Sequence, residues 1–127
     1  MEYEAKKQLI DRYLEAYNGM DIEGMIYVLH EDIVFRNIAD GVENSSARGH
    51  QAFRQLAERS AGLFVSRRQI PGHLVMHGGR VEAHINYEAV LAQDLPDGLR
   101  AGDTLRLQGR TVFGFREGAI SEIEDHS

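Results

Sequence analysis

Apart from one short strand at 33–38, the apolar residues of this chain change their prevailing spacing near Ser66. Before that point they recur at three- and four-residue intervals, and after it they alternate, which is the difference between helix faces and strand faces. Helices first and a run of strands afterwards restrict the chain to an α+β layout, with the helices covering one face of a sheet. Ile10, Leu14 and Tyr17, widened by Leu9 and Tyr13, form the stripe of a helix over 4–18. Asn18-Gly19 stops it, the glycine being suited to a left-handed cap. Asp21 is placed to cap a second, shorter helix whose stripe is Ile22, Met25, Ile26 and Leu29. A strand follows over 33–38. Residues 39–48 are small and polar and read as a loop, long enough to act as a lid. A third helix over 49–64 carries Phe53, Leu56, Ala57, Ser60 and Leu63 at helical spacing.

Four strands complete the chain. The first, 67–76, is interrupted by Pro71-Gly72, where a bulge or an edge position is expected because proline cannot donate to a ladder. The others are 81–92, 104–116 and 119–126, the last two joined by a tight turn at Glu117-Gly118. On 81–92, Val81, Ala83, Ile85, Tyr87, Ala89 and Leu91 share one face, and Glu82, His84, Asn86 and Glu88 the other. On 104–116, Leu105, Leu107, Thr111, Phe113 and Phe115 oppose Arg106, Gln108, Arg110 and Val112. The sheet thus has a covered apolar face and an outer face on which carboxylates of one strand can meet arginines of the next, with His84 on the outer side.

The 127 residues suffice for one domain over 1–127 with a real core. The net charge is −6, and no run of Lys or Arg exceeds two residues, so a nucleic-acid surface is not expected. The absence of cysteine excludes disulfides, a thiol nucleophile and thiolate metal ligation. The first ten residues lack the apolar core of a signal peptide. No apolar run approaches the roughly 20 residues that span a bilayer. The expectation is a soluble, cytoplasmic protein without a membrane partner. Its six histidines are scattered, so a metal is not expected; no other cofactor is expected either.

Several motifs recur in a telling order: Arg12-Tyr13, Asn18-Gly19-x-Asp21, Glu31-Asp32-Ile33-Val34-Phe35, Arg48-Gly49-His50-x-Ala52-Phe53, and Phe113-x-Phe115-Arg116-Glu117-Gly118-Ala119-Ile120. Together they resemble the NTF2-like superfamily, nearest its SnoaL-like and ketosteroid-isomerase-like branch, over almost the whole chain. The resemblance implies an NTF2-like cone, a curved antiparallel sheet wrapped around three N-terminal helices. It also implies a pocket between helices and concave face, and a homodimer formed through the sheet face. The superfamily holds isomerases, cyclases, dehydratases, epoxide hydrolases and proteins without catalysis, so fold alone does not assign a function.

In ketosteroid isomerases a helix-1 tyrosine donates to the substrate oxyanion, and Tyr13 matches it. Their general base, an aspartate ending the first strand, is Asn37 here, and an amide cannot accept that proton. Their second donor, an aspartate, matches Thr111. Limonene-epoxide-hydrolase-like members carry Tyr-x-Asn where this chain has Phe35-Arg36-Asn37, and a last-strand aspartate that Asp125 resembles. Their middle-strand arginine has no counterpart in His84-Ile85-Asn86-Tyr87-Glu88. The resemblance therefore implies Tyr13, Asn37 and Asp125 as the catalytic set of a SnoaL-like isomerase or cyclase. Asp125 would serve as base next to a carbonyl of a small apolar ligand; lyase and hydrolase chemistry stay open. Tyr17, Met25, Leu29, Phe35, His50, Phe53, Tyr87, Thr111 and Phe113 are expected to bind the substrate. Two alternatives are a non-catalytic binder of the same fold and an interaction module working through Glu82, His84, Glu88, Arg106 and Arg110. A one-residue slip in the last strand would exchange Asp125 for Glu124 or His126.

Overall fold

The computed structural model describes residues 1–127. The elements run α1 (Tyr3–Asn18), α2 (Ile22–Tyr27), β1 (Leu29–Ala39), β2 (Val42–Arg48), α3 (Gly49–Ala61), β3 (Phe64–His77), β4 (Arg80–Leu91), β5 (Thr104–Arg116) and β6 (Ala119–His126). The strands form one sheet in the order β2-β1-β6-β5-β4-β3. Neighbours are antiparallel except β1 and β6, which run parallel. After β1 the chain passes through β2, α3 and the β3–β6 meander before it returns beside β1 in the same direction. That single parallel pair matters because it brings the last residues of both strands to one end of the sheet, with Asn37 opposite Asp125.

The helices cover one face. Ile10 and Leu14 of α1, Met25 of α2 and Phe53 of α3 meet Ile33, Val81, Phe113, Ile120 and Ile123 of the sheet in a continuous apolar core. At roughly 25 cal/mol per Å² of apolar surface removed from water, this burial is the main favourable term in folding. Asp21 caps α2 as expected, its Oδ1 accepting from the Gly24 amide at 3.0 Å. The turn after α1 differs: Gly19 has φ −87, and Met20 takes the left-handed conformation, with φ 54. No helix is long and apolar enough to cross a membrane.

Residues 39–48 are not a lid. They form the turn and second strand of a hairpin with β1, paired from Ala39↔Val42 to Val34↔Arg48. Asp40-Gly41 makes the turn, with φ 51 and 76, the positive pair that lets a two-residue turn follow the strand twist. The polar composition that reads as a loop suits β2 as an edge strand with one face open to water.

Two irregularities fix which residues face inward. The β3–β4 register shifts between Pro71 and Leu74, the expected bulge. The β5–β6 register shifts between Gly114 and Phe115, leaving Ser121 unpaired between Ile120 and Glu122. This extra residue lets Ile120 and Ile123, three positions apart, both be fully buried. Asp125 then follows Ile123 on the inner face, and Glu124 turns outward to pair with Arg36. The β1–β6 pairing continues past Asp125, as the Ser127 amide donates to Ile38 O (3.0 Å) and the Asp40 amide to Ser127 O (3.1 Å). The end of β6 is thereby held on both sides.

Candidate functional site

Between the helices and the inner face lies a cavity of two lobes. The first, about 220 Å³, is walled by Tyr13, Tyr17, Met25, Phe35, Asn37, Ser45, Phe53, Leu56, Ala57, Ser60, Arg67 and Asp125. The second, about 290 Å³, runs along the sheet past Phe64, Gln69, Ile85, Tyr87, Leu105, Leu107 and Thr111 to Gln108, Arg110 and His126. Tyr17, Asn37, Ser60 and Asp125 border both lobes. Gly109 shapes the far end, where a Cβ would collide with the carbonyl oxygen of His126; the missing side chain lets the end of β6 close against β5.

Asp125 is the acidic residue that both lobes share. Its Oδ1 accepts from Thr111 Oγ1 at 2.7 Å, and Thr111 is itself buried. Asp125 keeps some accessible surface, and that surface opens on the cavity. Removal from bulk water raises the carboxyl pKa to about 6, against the smaller opposing effects of the Thr111 hydrogen bond and of His126. His126 in turn donates from Nε2 to Glu124 Oε1 at 2.6 Å, on the outer side.

Tyr13 enters from α1, its ring edge-on to Phe113 with centroids 6.0 Å apart. Burial, and after it the charge of Asp125, push its phenol well above the ordinary tyrosine range, so it stays a proton donor through neutral pH. Asn37 stands opposite Asp125 on one side and Ser45 on the other. Its Nδ2 donates at 2.8 Å to Oδ1 of Asn44, the residue left over where the β1–β2 register shifts. The bulge thus positions the Asn37 amide, and one carboxyl, one phenol and one amide share a wall of the first lobe.

A second polar group gathers where α1 meets β3. The side chain of Asn18 clasps the backbone of Gln69, donating to Gln69 O at 3.1 Å and accepting from Gln69 N at 2.7 Å. This clamp sets Tyr17 beside Arg67. The Arg67 guanidinium lies 3.8 Å from the centroid of the Tyr17 ring, and its Nε donates to Tyr17 O at 3.3 Å. The Tyr17 hydroxyl donates to the Tyr87 hydroxyl at 3.2 Å. Arg67 is only 4% exposed, and its Nη2 is buried with no hydrogen-bond partner.

Of the twelve residues singled out in the sequence, Tyr13, Asn37, Asp125, Tyr17, Met25, Phe35, Phe53, Tyr87 and Thr111 line one lobe or both. Three do not. Leu29 and Phe113 are packed into the core beneath the cavity. His50 donates from Nε2 to Leu29 O at 2.9 Å and pins α3 to β1. The sequence reading passed over Arg67, Gln69, Ser60, Ser45 and Leu56. Strand alternation carries the signal for the first two: Arg67 and Gln69 pair with Ala89 and Tyr87, residues of the covered face. No group of three or more His, Asp or Glu side chains is arranged to hold a metal ion.

Residues 10–123 match the sequence model of the SnoaL-like domain, and the chain belongs to that family. No curated protein sequence matches it. Among solved structures it is similar to a candidate polyketide cyclase from Xanthomonas campestris pv. campestris, at 23% identity and TM-score 0.83, covering 98% of this chain and 90% of that one. It is also similar to an NTF2-like protein of unknown function from Burkholderia pseudomallei, at 18% identity and TM-score 0.77, covering 96% and 89%. A third is TerC co-crystallised with polyporic acid, at 18% identity and TM-score 0.75, covering 95% and 89%. At these identities the likeness defines the fold, which is the NTF2-like α+β cone.

Proposed function

We propose that the cavity binds a small, mainly apolar organic molecule bearing a carbonyl, and that the protein moves a proton at the adjacent carbon, as an isomerase or cyclase does. The observation that carries this reading is the single wall on which Asp125, Tyr13 and Asn37 meet. Asp125 is the base. Its raised pKa suits proton exchange near neutrality, and the Thr111 hydrogen bond fixes the carboxylate. Tyr13 and Asn37 donate to the oxygen on which charge develops as the proton leaves, the geometry that stabilises an enolate. Aromatic and aliphatic walls from Phe35, Phe53, Leu56 and Met25 exclude water and hold the ligand.

The likeness to a candidate polyketide cyclase and to a protein crystallised with polyporic acid supports a ring-bearing ligand for this chain too. Two copies pair through the outer sheet face in the same proposal, which light scattering tests directly. The function itself is tested in two stages. A thermal-shift screen against polycyclic ketones, terpenoids and fatty acids finds the ligand class, since binding raises the melting point by mass action. Deuterium incorporation from D2O at the carbon next to the carbonyl, followed by NMR, then reads the proton transfer. A hit that binds in the cavity and exchanges no faster than in buffer would leave a carrier in place of an enzyme.

A further inference from the structure

Arg67 is the one charged residue of the first lobe that the proposed chemistry does not use. It is buried, it forms part of the wall of the first lobe, and no carboxylate pairs with it. Its contacts inside the protein are the face of Tyr17 and the Tyr17 carbonyl, which takes only Nε–H. Nη2 finds no acceptor. Asp125, the acidic residue of the same lobe, is held by Thr111 instead, and Arg67 is not among the groups that shift its titration. A buried guanidinium with a bare N–H is costly unless a charged or strongly polar oxygen meets it. No group of the wall pairs with the guanidinium, and Nη2 itself is shut off from the cavity, so an occupant of the lobe meets Arg67 at the small surface it keeps there and offsets its charge.

We propose that Arg67 selects ligands that carry an anionic oxygen on an aromatic or conjugated ring, a carboxylate or an ionised acidic enol, and holds that oxygen beside Tyr17. This rests on the reading of the cavity as a ligand site and adds the ligand's charge to it. The stacking of the guanidinium on Tyr17 fixes its plane, which favours a flat acceptor over a flexible one. The clasp of Asn18 on Gln69 fixes the strand that bears Arg67, so the cation is held in place before the ligand arrives. A ligand anchored at Arg67 extends past Asn37 and Asp125, which border both lobes.

Matched pairs of probes test this. 2-Naphthoate against 2-acetylnaphthalene compares a carboxylate with a neutral ketone. 2-Hydroxy-1,4-naphthoquinone, ionised at neutral pH, against 1,4-naphthoquinone does the same for an acidic enol. Affinities are measured by calorimetry on the full chain at pH 7.5, and which anionic probe gains more distinguishes carboxylate from enolate. The wild type is expected to prefer at least one anionic member by about tenfold or more, the usual value of a charge-assisted hydrogen bond. Arg67→Met is expected to lose that preference while binding the neutral members as before, and Arg67→Lys to keep part of it. If Arg67→Met does not fold, the wild-type preference and its retention in Arg67→Lys decide alone. Equal affinity for charged and neutral members in the wild type overturns the role of Arg67 and leaves the cavity reading standing. Failure of every probe to bind overturns both.

Discussion

The two faces of the sheet treat charge in opposite ways. Outside, opposite charges find each other across strands: Arg110 stands 2.6 Å from Glu82, Arg80 2.8 Å from Glu122, Arg106 3.8 Å from Glu88, and Arg36 pairs with Glu124. Inside, the arginine and the carboxylate that share one cavity do not pair. Asp125 is tied to a hydroxyl and Arg67 to an aromatic ring and a backbone carbonyl. Water screens the outer charges, so pairing them changes little. The inner charges have lost that water and stay unneutralised, which costs folding free energy. A chain selected for stability alone would pair the two or replace them with apolar residues. Leaving both available is what a site for a carbonyl-bearing ligand needs.

The sharpest way to break this contrast is to remove the inner carboxylate. In Asp125→Asn the Thr111 hydrogen bond can persist, because the amide oxygen still accepts, but the base is gone. Turnover of any substrate identified by the exchange assay is expected to fall by about 10²–10⁴, with affinity little changed. A variant that turns over as the wild type does removes Asp125 from the chemistry.

The same substitution sharpens the contrast through stability. The folded carboxyl gains its proton at about pH 6, against an ordinary value of 3.8 for the unfolded chain. Between those values the unfolded state has released its proton and the folded state has not. The folded state binds more protons there, so stability falls as pH rises from about 4 to about 6 and is flat in this respect above it. Asp125→Asn has no such slope. It is expected to match the wild type near pH 4 and to exceed it above pH 6 by about 1–3 kcal/mol, read from urea denaturation at a series of pH values. The opposite difference would mean that Asp125 is ionised and well paired in the folded protein.

A smaller effect tests how the inner cation is held. Asn18→Ala deletes both hydrogen bonds to Gln69 and leaves two backbone groups of β3 without their partners. The expected cost is about 1–2 kcal/mol. Ligand affinity should fall with it if the clamp positions Arg67. A loss of stability without any loss of affinity would make the clamp a purely structural one.

Much of this arrangement was legible in the sequence, for identifiable reasons. The β5 and β6 boundaries follow from period-two alternation and the Glu117-Gly118 turn, whose φ values of 53 and 79 are those of a tight hairpin. Tyr13 lies on a helical stripe, and that stripe faces the sheet. The polar residues of β2, at a sheet edge, have no apolar alternation and so read as a loop; the signal for the strand is the Asp40-Gly41 turn. Leu29 and Phe113 carry the residue types of a pocket wall, but burial beneath the cavity depends on how deeply helices and sheet interlock, which spacing does not encode. His50 is expected among the substrate-binding residues, and only the tertiary approach of β1 to the start of α3 gives it the Leu29 carbonyl instead. Arg67 is hard to see in the sequence because a charged residue at a strand start reads as solvated. Its parity with Gln69 opposite Ala89 and Tyr87 already assigned it to the covered face.

The smallest expected effect is on the outer face, and it guards the comparison from the other side. Glu82 and Arg110 are partly exposed, at 29% and 49% of their side chains. Glu82→Gln keeps the size of the side chain and removes its charge. If the outer pairs are screened as their exposure implies, the variant should lose no more than about 0.5 kcal/mol, and even that should fade in 1 M salt, where the screening length shrinks to about 3 Å. A loss well above 1 kcal/mol that persists in salt would mean that water does not reach the pair in solution. The pair would then lie in the dry centre of the proposed sheet-face dimer, and the light-scattering mass should fall toward that of one chain in the same variant; the small, salt-sensitive loss expected here puts it at that dimer's wetted rim.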